Sequence, residues 1–278
     1  MESFIHGEIW GCCPRYIESL TAELADVELE HLLATGSGSQ HSAQETETPP
    51  DGVVFLDVSG MILHRRSIIS EYLGATTLDV LGAQFRKAMA SDAVTTIVFV
   101  VDSPGGTVTG VQELSAAIYE ARKDKRILAF VSGSMLASSA YWICSAAHEI
   151  ISTPSATSIG SIGVMRIHRS GDSGNVTIIR SSGATNKARL NPYEPLTDDL
   201  RAREIQTLDS IHSQFENDIA RNRGLSVDHV RKYFGHGAEF ISNQALTRGM
   251  IDRLQSWDEF IGGFGLKQDL SRIEIQVV

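Results

Sequence analysis

The sequence predicts an α/β fold of repeated β-α-β units with a helical C-terminal part, and three observations carry that prediction. β-rich apolar runs alternate with apolar stripes of helical spacing, the strand runs are continuously apolar, and glycine- and serine-rich turns follow two of them. Val53 to Val58 (VVFLDV) reads as a first strand, and Leu78, Leu81, Phe85 and Met89 mark the helix after it. Thr96 to Val101 (TIVFVV) is a second strand, followed by the helical face Val111, Leu114, Ile118 and Ala121. Ile127 to Val131 (ILAFV) is a third. A strand with one wet face would alternate apolar and polar residues, so unbroken apolar runs imply a parallel sheet covered on both faces. Right-handed crossovers then bring the strand C-termini to one edge, where functional loops gather.

Outside this repeat, Leu208, Ile211, Phe215 and Ile219 define a long amphipathic helix beginning near Thr197, with Asp198 and Asp199 suited to its start. A shorter helix runs to Gly249. Near the N-terminus Ile17, Leu20, Leu24 and Val27 form the stripe of an amphipathic arm over residues 1–34. Residues 35–51 (TGSGSQHSAQETETPPD) are small and polar and bury too little to offset ordering, so they are expected to be a flexible linker. Residues 52–278 form the expected main domain.

Composition narrows the function. The 278 residues carry 24 Lys+Arg against 34 Asp+Glu, a net charge of -10, which argues against nucleic acid as a partner because phosphate binding needs clustered cations. Three cysteines, two of them adjacent (Cys12, Cys13), imply no disulfide framework and suit a reducing compartment. Cys12-Cys13 beside His6 is the nearest approach to metal spacing, and no metal or cofactor is expected. The N-terminus lacks a basic and then apolar signal pattern, so the mature chain is expected to start near Met1. The uncharged stretch Ile127 to Ala147 invites a membrane reading, but its serines and glycine and its change of period favour a strand, a turn and a helix.

Two loops hold the candidate chemistry. Asp102-Ser103-Pro104-Gly105-Gly106 could aim backbone N–H groups into a cleft, or could be a plain strand-to-helix turn. Ser132 to Trp142 (SGSMLASSAYW) could present a hydroxyl nucleophile at a helix start, or could be close packing of small residues. Periodicity alone leaves both open.

DSPGG, GSMLASSAYW and TPSATSIGSIGVM, in this order and spacing, resemble the signal peptide peptidase A (SppA) family of serine peptidases in the crotonase/Clp superfamily. The likeness runs from about Val53 to Leu254, and the stretch from Lys187 to Leu196 (KARLNPYEPL) is most similar to bacteriophage head-maturation proteases of that family. Gln244-Ala245-Leu246, Gly249 and Asp252 resemble its closing motif. The resemblance implies a crotonase/Clp-like fold and a Ser-Lys dyad, with Ser138 as nucleophile and Lys187 as general base. It also implies that Ser161 holds the lysine amine. Gly106 and Ser139 would form the oxyanion hole, with Gly105 the near alternative. Ser139 stands where many relatives have glycine, and the gap after Ser182-Gly183 is one residue longer than in many of them.

The implied chemistry is coherent. A lysine at its ordinary pKa of about 10.4 is protonated at pH 7, so a base lysine must be desolvated; a fall of roughly 3 units corresponds to about 4 kcal/mol. His148 reads as a helix-end residue, and His168, after GSIGVM, is the stronger rival base. Neither completes a Ser-His-Asp pattern, and there is no G-x-S-x-G elbow. The expected substrate is a peptide or protein, with phage capsid or scaffold protein first, in a homo-oligomer that is cytoplasmic or inside an assembling procapsid. The alternatives are a signal-peptide or general cytoplasmic peptidase, a crotonase-like acyl-CoA enzyme and a non-catalytic shell component.

Overall fold

The computed structural model describes residues 9–11, 16–17, 52–168, 177–184, 186–187 and 189–266. Most of the expected arm and linker lie outside these residues, as do Cys12 and Cys13.

The larger sheet is built from β2 (Val53–Ser59), β5 (Thr96–Ser103), β7 (Arg126–Ala137), β8 (Glu149–Ser152), β9 (Ser158–Gly160), β10 (Glu239–Ile241) and β11 (Arg253–Leu254). Its main path runs β10-β9-β7-β5-β2; β8 pairs β7, and β11 pairs β8. All pairs are parallel except β9 with β10. A smaller sheet of two-residue strands, β1 (Trp10–Gly11), β3 (Ile62–Leu63), β4 (Thr76–Thr77) and β6 (Gly106–Thr107), runs β1-β6-β3-β4.

The continuous apolar strands have the expected cause. In β5, Ile97, Phe99 and Val101 enter one core and Val98 and Val100 enter another; in β7, Ile127, Ala129 and Val131 oppose Leu128 and Phe130 in the same way. The larger core lies under α2 (Leu78–Ala90), α3 (Val111–Ala121), α4 (Ser139–Ser145) and α5 (Asp198–Arg223), which all contribute to it. The smaller lies under α8 (Trp257–Gly262), whose Phe260 sits 4.6 Å from the Phe130 ring. α8 starts with a capping box between Ser256 and Glu259. Shorter helices α1 (Ile68–Tyr72), α6 (Val227–Tyr233) and α7 (Ser242–Arg248) complete the set described.

Residues 127–147 divide between β7 and α4, and no helix among the described residues is long and apolar enough to cross a membrane. One boundary differs from expectation: β7 does not stop at Val131 but continues through SGSMLA to Ala137. Its register against β5 jumps, so that Val131 faces Val101 but Leu136 faces Ser103. The extra residues arch over Asp102, whose Oδ1 accepts from Ser134 N at 2.9 Å, Ser134 Oγ at 3.0 Å and Met135 N at 3.1 Å. A side chain from the neighbouring strand thus stands in for missing ladder bonds.

A buried polar cluster fixes α4 against α3 and α5. Asn222, 3% exposed, donates through Nδ2 to Ser115 Oγ at 3.0 Å and Ser145 Oγ at 2.9 Å, and both hydroxyls donate to the Trp142 carbonyl. Trp142 stacks on Phe215 at 4.2 Å and donates Nε1 to Asp218 Oδ2 at 3.1 Å. Asn222→Ala removes the donor to two buried hydroxyls, so denaturant unfolding is expected to show a loss of about 1–3 kcal/mol; a change below the fitting error would mean that the cluster does not hold α4.

Candidate active site

β7 ends at Ala137, and the chain turns at once into α4 through Ser138. Ser138 has φ 52 and ψ -118, a backbone conformation that an L-residue adopts only at a cost of order 1–3 kcal/mol. Three neighbours impose it. Ser138 N donates to Gly160 O at 2.8 Å, Trp142 N closes the first turn of α4 on Ser138 O at 2.9 Å, and the Asn222 cluster clamps α4. The sharp turn lifts the hydroxyl off the sheet edge. It is fully buried, and its hydrogen bond is a long one of 3.4 Å to Gly163 O.

The DSPGG segment forms the adjoining wall, and Asp102, Ser103, Gly105 and Gly106 each have a structural task. Asp102 holds the β7 arch. Ser103 Oγ donates to Gly60 O at 2.6 Å and accepts from Gly105 N at 3.1 Å. Gly105 lies at φ 88, and a Cβ there would come 2.9 Å from Ser139 N and from Ala137 O; at Gly106 one would lie 1.9 Å from Ile62 O. Only glycine lets the loop pass so close to the serine turn at Gly105 and to Ile62 at Gly106. Gly106 then begins β6.

The opposite wall is the turn after β9. Ser161, nearly buried at φ 53, donates its N–H to Ala238 O at 2.9 Å, and its hydroxyl bonds neither Ser138 nor Lys187. The structure therefore brings together Ser138, Ser139, Gly105, Gly106 and the turn bearing Ser161. Ser139 Oγ is buried with no hydrogen-bond partner.

Lys187 is not in this cluster. It is exposed, and no hydrogen bond joins it to Ser138. Its loop is nonetheless tied down: Arg180 Nε donates to Lys187 O at 2.6 Å, Arg180 pairs with Glu194, and Asn191 Nδ2 donates to Glu194 Oε2 at 2.8 Å. Arg189 reaches Glu204 of α5 at 3.3 Å, and the same carboxylate pairs with Arg166 beyond the Ser161 turn. Glu204 thus ties the Lys187 loop to the site's edge, a role that no sequence motif signals.

Neither rival histidine bonds Ser138. His148 accepts from Ile127 N at 3.1 Å at the far end of β7, and His168, half-buried, makes no bond to Ser138. Burial pushes the Cys144 thiol up to about 12, so it stays protonated and non-nucleophilic. Asp57, beside the Asp102 wall, is raised by burial, an effect that the Ser59 hydrogen bond opposes and the Asp102 charge reinforces.

Glu194 offers a pH test. The Arg180 hydrogen bond, and then that from Asn191, hold its carboxyl below the ordinary glutamate value. A depressed folded pKa gives stability that is present above the unfolded value of about 4.3 and is lost as pH falls through the folded one. Backbone hydrogen exchange across residues 180–194 should therefore quicken as pH drops below about 4 once intrinsic rates are divided out, and Glu194→Gln should show the faster exchange already at neutral pH.

Comparison with known proteins identifies the family. Residues 120–269 match the model described as peptidase family S49. The chain is 30% identical over 210 residues to head-tail preconnector protein GP5 of Enterobacteria phage P21, covering 73% of this chain and 41% of that protein. Against capsid assembly protease C of Escherichia phage lambda it is 28% identical over 243 residues, 85% of this chain and 53% of that one. Protease 4 of Salmonella typhi is 25% identical over 186 residues, 66% of this chain and 30% of the relative. The chain thus spans about half the length, or less, of these curated relatives. On the match across more than half its length, and on motifs that the fold gathers at one sheet edge, the chain belongs to peptidase family S49.

Proposed function

We propose that this chain is a serine endopeptidase working through a Ser138–Lys187 dyad, without metal or cofactor, and that it cuts capsid or scaffold protein. The observation that carries the reading is Ser138 itself. A buried hydroxyl on a strained turn, walled by Gly105-Gly106 and the Ser161 turn, is a nucleophile held ready rather than a packing residue. Ser138 Oγ attacks the scissile carbonyl while Lys187 Nζ takes its proton and passes it to the leaving amine. In the second step Lys187 Nζ takes a proton from water, the oxygen adds to the ester carbonyl, and the ester C–O bond breaks as the proton returns to Ser138 Oγ. The Gly106 and Ser139 N–H groups receive the carbonyl oxygen as it gains charge. Gly105 is the weaker candidate, because its N–H already donates to Ser103 Oγ.

Lys187 must be desolvated to serve as base, and in the single chain it is exposed. A second copy of the chain supplies that cover in our reading. Ile179, Tyr193 and Ile205, large apolar residues on the Lys187 loop and on α5, are 91%, 43% and 50% exposed, and offer the surface for such packing. Ser161 then anchors the amine. The choice of substrate rests on the relatives: two phage proteins, one a capsid assembly protease, match 73% and 85% of this chain.

Hydrolysis of an unfolded protein such as casein, and of a phage capsid protein, is expected for the wild type. Ser138→Ala should reduce it to background and Lys187→Ala by roughly 10²–10⁴-fold, with circular dichroism unchanged. Full activity in Lys187→Ala would contradict the dyad.

A further inference from the structure

The cleft beside Ser138 is occupied by the protein's own chain. Trp10 and Gly11 run antiparallel to β6, with Trp10 opposite Thr107 and Gly11 opposite Gly106. On its other edge Trp10 exchanges two backbone hydrogen bonds with Met165, its N–H donating to Met165 O and its carbonyl accepting from Met165 N, both at 2.9 Å. One extended segment is thus paired on both edges, by the wall after DSPGG and by the wall after the Ser161 turn.

The register matters. Val108 N donates to Ile9 O at 3.2 Å, and antiparallel ladders alternate bonded and non-bonded pairs, so the next bonded pair is Gly11 with Gly106. The alternation therefore points the Gly11 carbonyl at the Gly106 N–H, the group assigned above to the oxyanion hole. The same residue lies against the nucleophile: a Cβ added to Gly11 would come 2.9 Å from Ser138 Oγ and 3.4 Å from Ser139 N. Trp10, 1% exposed, fills a separate apolar pocket with Ile17 and Leu63, against which Met61, Ala75, Met165 and Ile167 pack.

We propose that Ile9–Gly11 is a built-in ligand of the substrate cleft, held in the register of a substrate, and that the cleft therefore recognises an extended peptide with a bulky aromatic residue followed by glycine at the reacting serine. This rests on reading Ser138 as the nucleophile of a peptidase, and it adds the substrate class and the competitor that a substrate must displace. The close approach of Gly11 disfavours a larger side chain beside Ser138, because even a Cβ would press on the hydroxyl. The Trp10 pocket supplies the apolar contact that orients the strand.

The test uses full-length Ser138→Ala protein, in which no cleavage can occur. Its Met165 amide should exchange at least tenfold more slowly than in the Ser138→Ala/Trp10→Asp double variant, where a charge replaces the indole in the pocket. A synthetic peptide copying residues 5–14, with serine in place of both cysteines, should bind the double variant and compete poorly for the Ser138→Ala protein. The same peptide with Asp in place of Trp should bind neither. If the double variant is unfolded by circular dichroism, Ser138→Ala/Trp10→Ala takes its place. Equal Met165 exchange with the segment intact and disrupted, or binding of the peptide to neither protein, overturns the proposal. A wild-type protein that degrades nothing while Met165 stays protected would defeat the proteolytic reading and leave the occupied cleft standing.

Discussion

The backbone of Ser138 is the constraint on which the rest of the site depends. A strand that entered its helix by a relaxed turn would leave the hydroxyl among the side chains at the sheet edge. The conformation at φ 52 and ψ -118 lifts it toward Gly11 and Gly163 instead. Such a conformation persists only where its surroundings over-determine it. The hydrogen bond from Ser138 N to Gly160 O fixes the turn from one side. The Asp102 arch fixes the end of β7, and the Asn222 cluster fixes α4 beneath it. The fold thus holds this hydroxyl rigidly, as a preorganised site requires.

The proposed base is held differently. Lys187 sits on a loop whose internal ties, Arg180 to Glu194 and Arg189 to Glu204, hold its backbone while its side chain stays in water. In the proposed dyad, a buried hydroxyl and an exposed lysine within one chain suit a centre completed when copies assemble. Until then the proposed pair stays apart. The occupied cleft acts in the same direction, since a foreign peptide must displace Trp10 and Gly11 before it meets Ser138.

Much of the fold was legible because burial on both sheet faces leaves a plain signature. The apolar runs of β2, β5 and β7, the stripes of α2 and α3, and Thr197 as the cap of α5 with its side chain accepting from Leu200 N, all follow from period and capping chemistry. The continuation of β7 through SGSMLA was not legible, because its small polar residues read as a loop and its pairing depends on the Asp102 carboxylate. The two-residue strands of the small sheet are too short to carry any period. α8 did leave a signal, Ser256 followed three residues later by Glu259, but the helix is short. At the site, motif spacing located Ser138, Gly105, Gly106 and Ser161 together. It could not show that Lys187 stands apart, or that Glu204 and Gly11 belong to the same neighbourhood, since both arrive by tertiary packing.

If the turn at Ser138 selects one hydroxyl from a run of serines, peptide mapping after fluorophosphonate treatment should find a single adduct, on Ser138, with Ser134 and Ser139 unmodified. An adduct on Ser139, or none in protein that is folded and cleaves peptides, would contradict that selection.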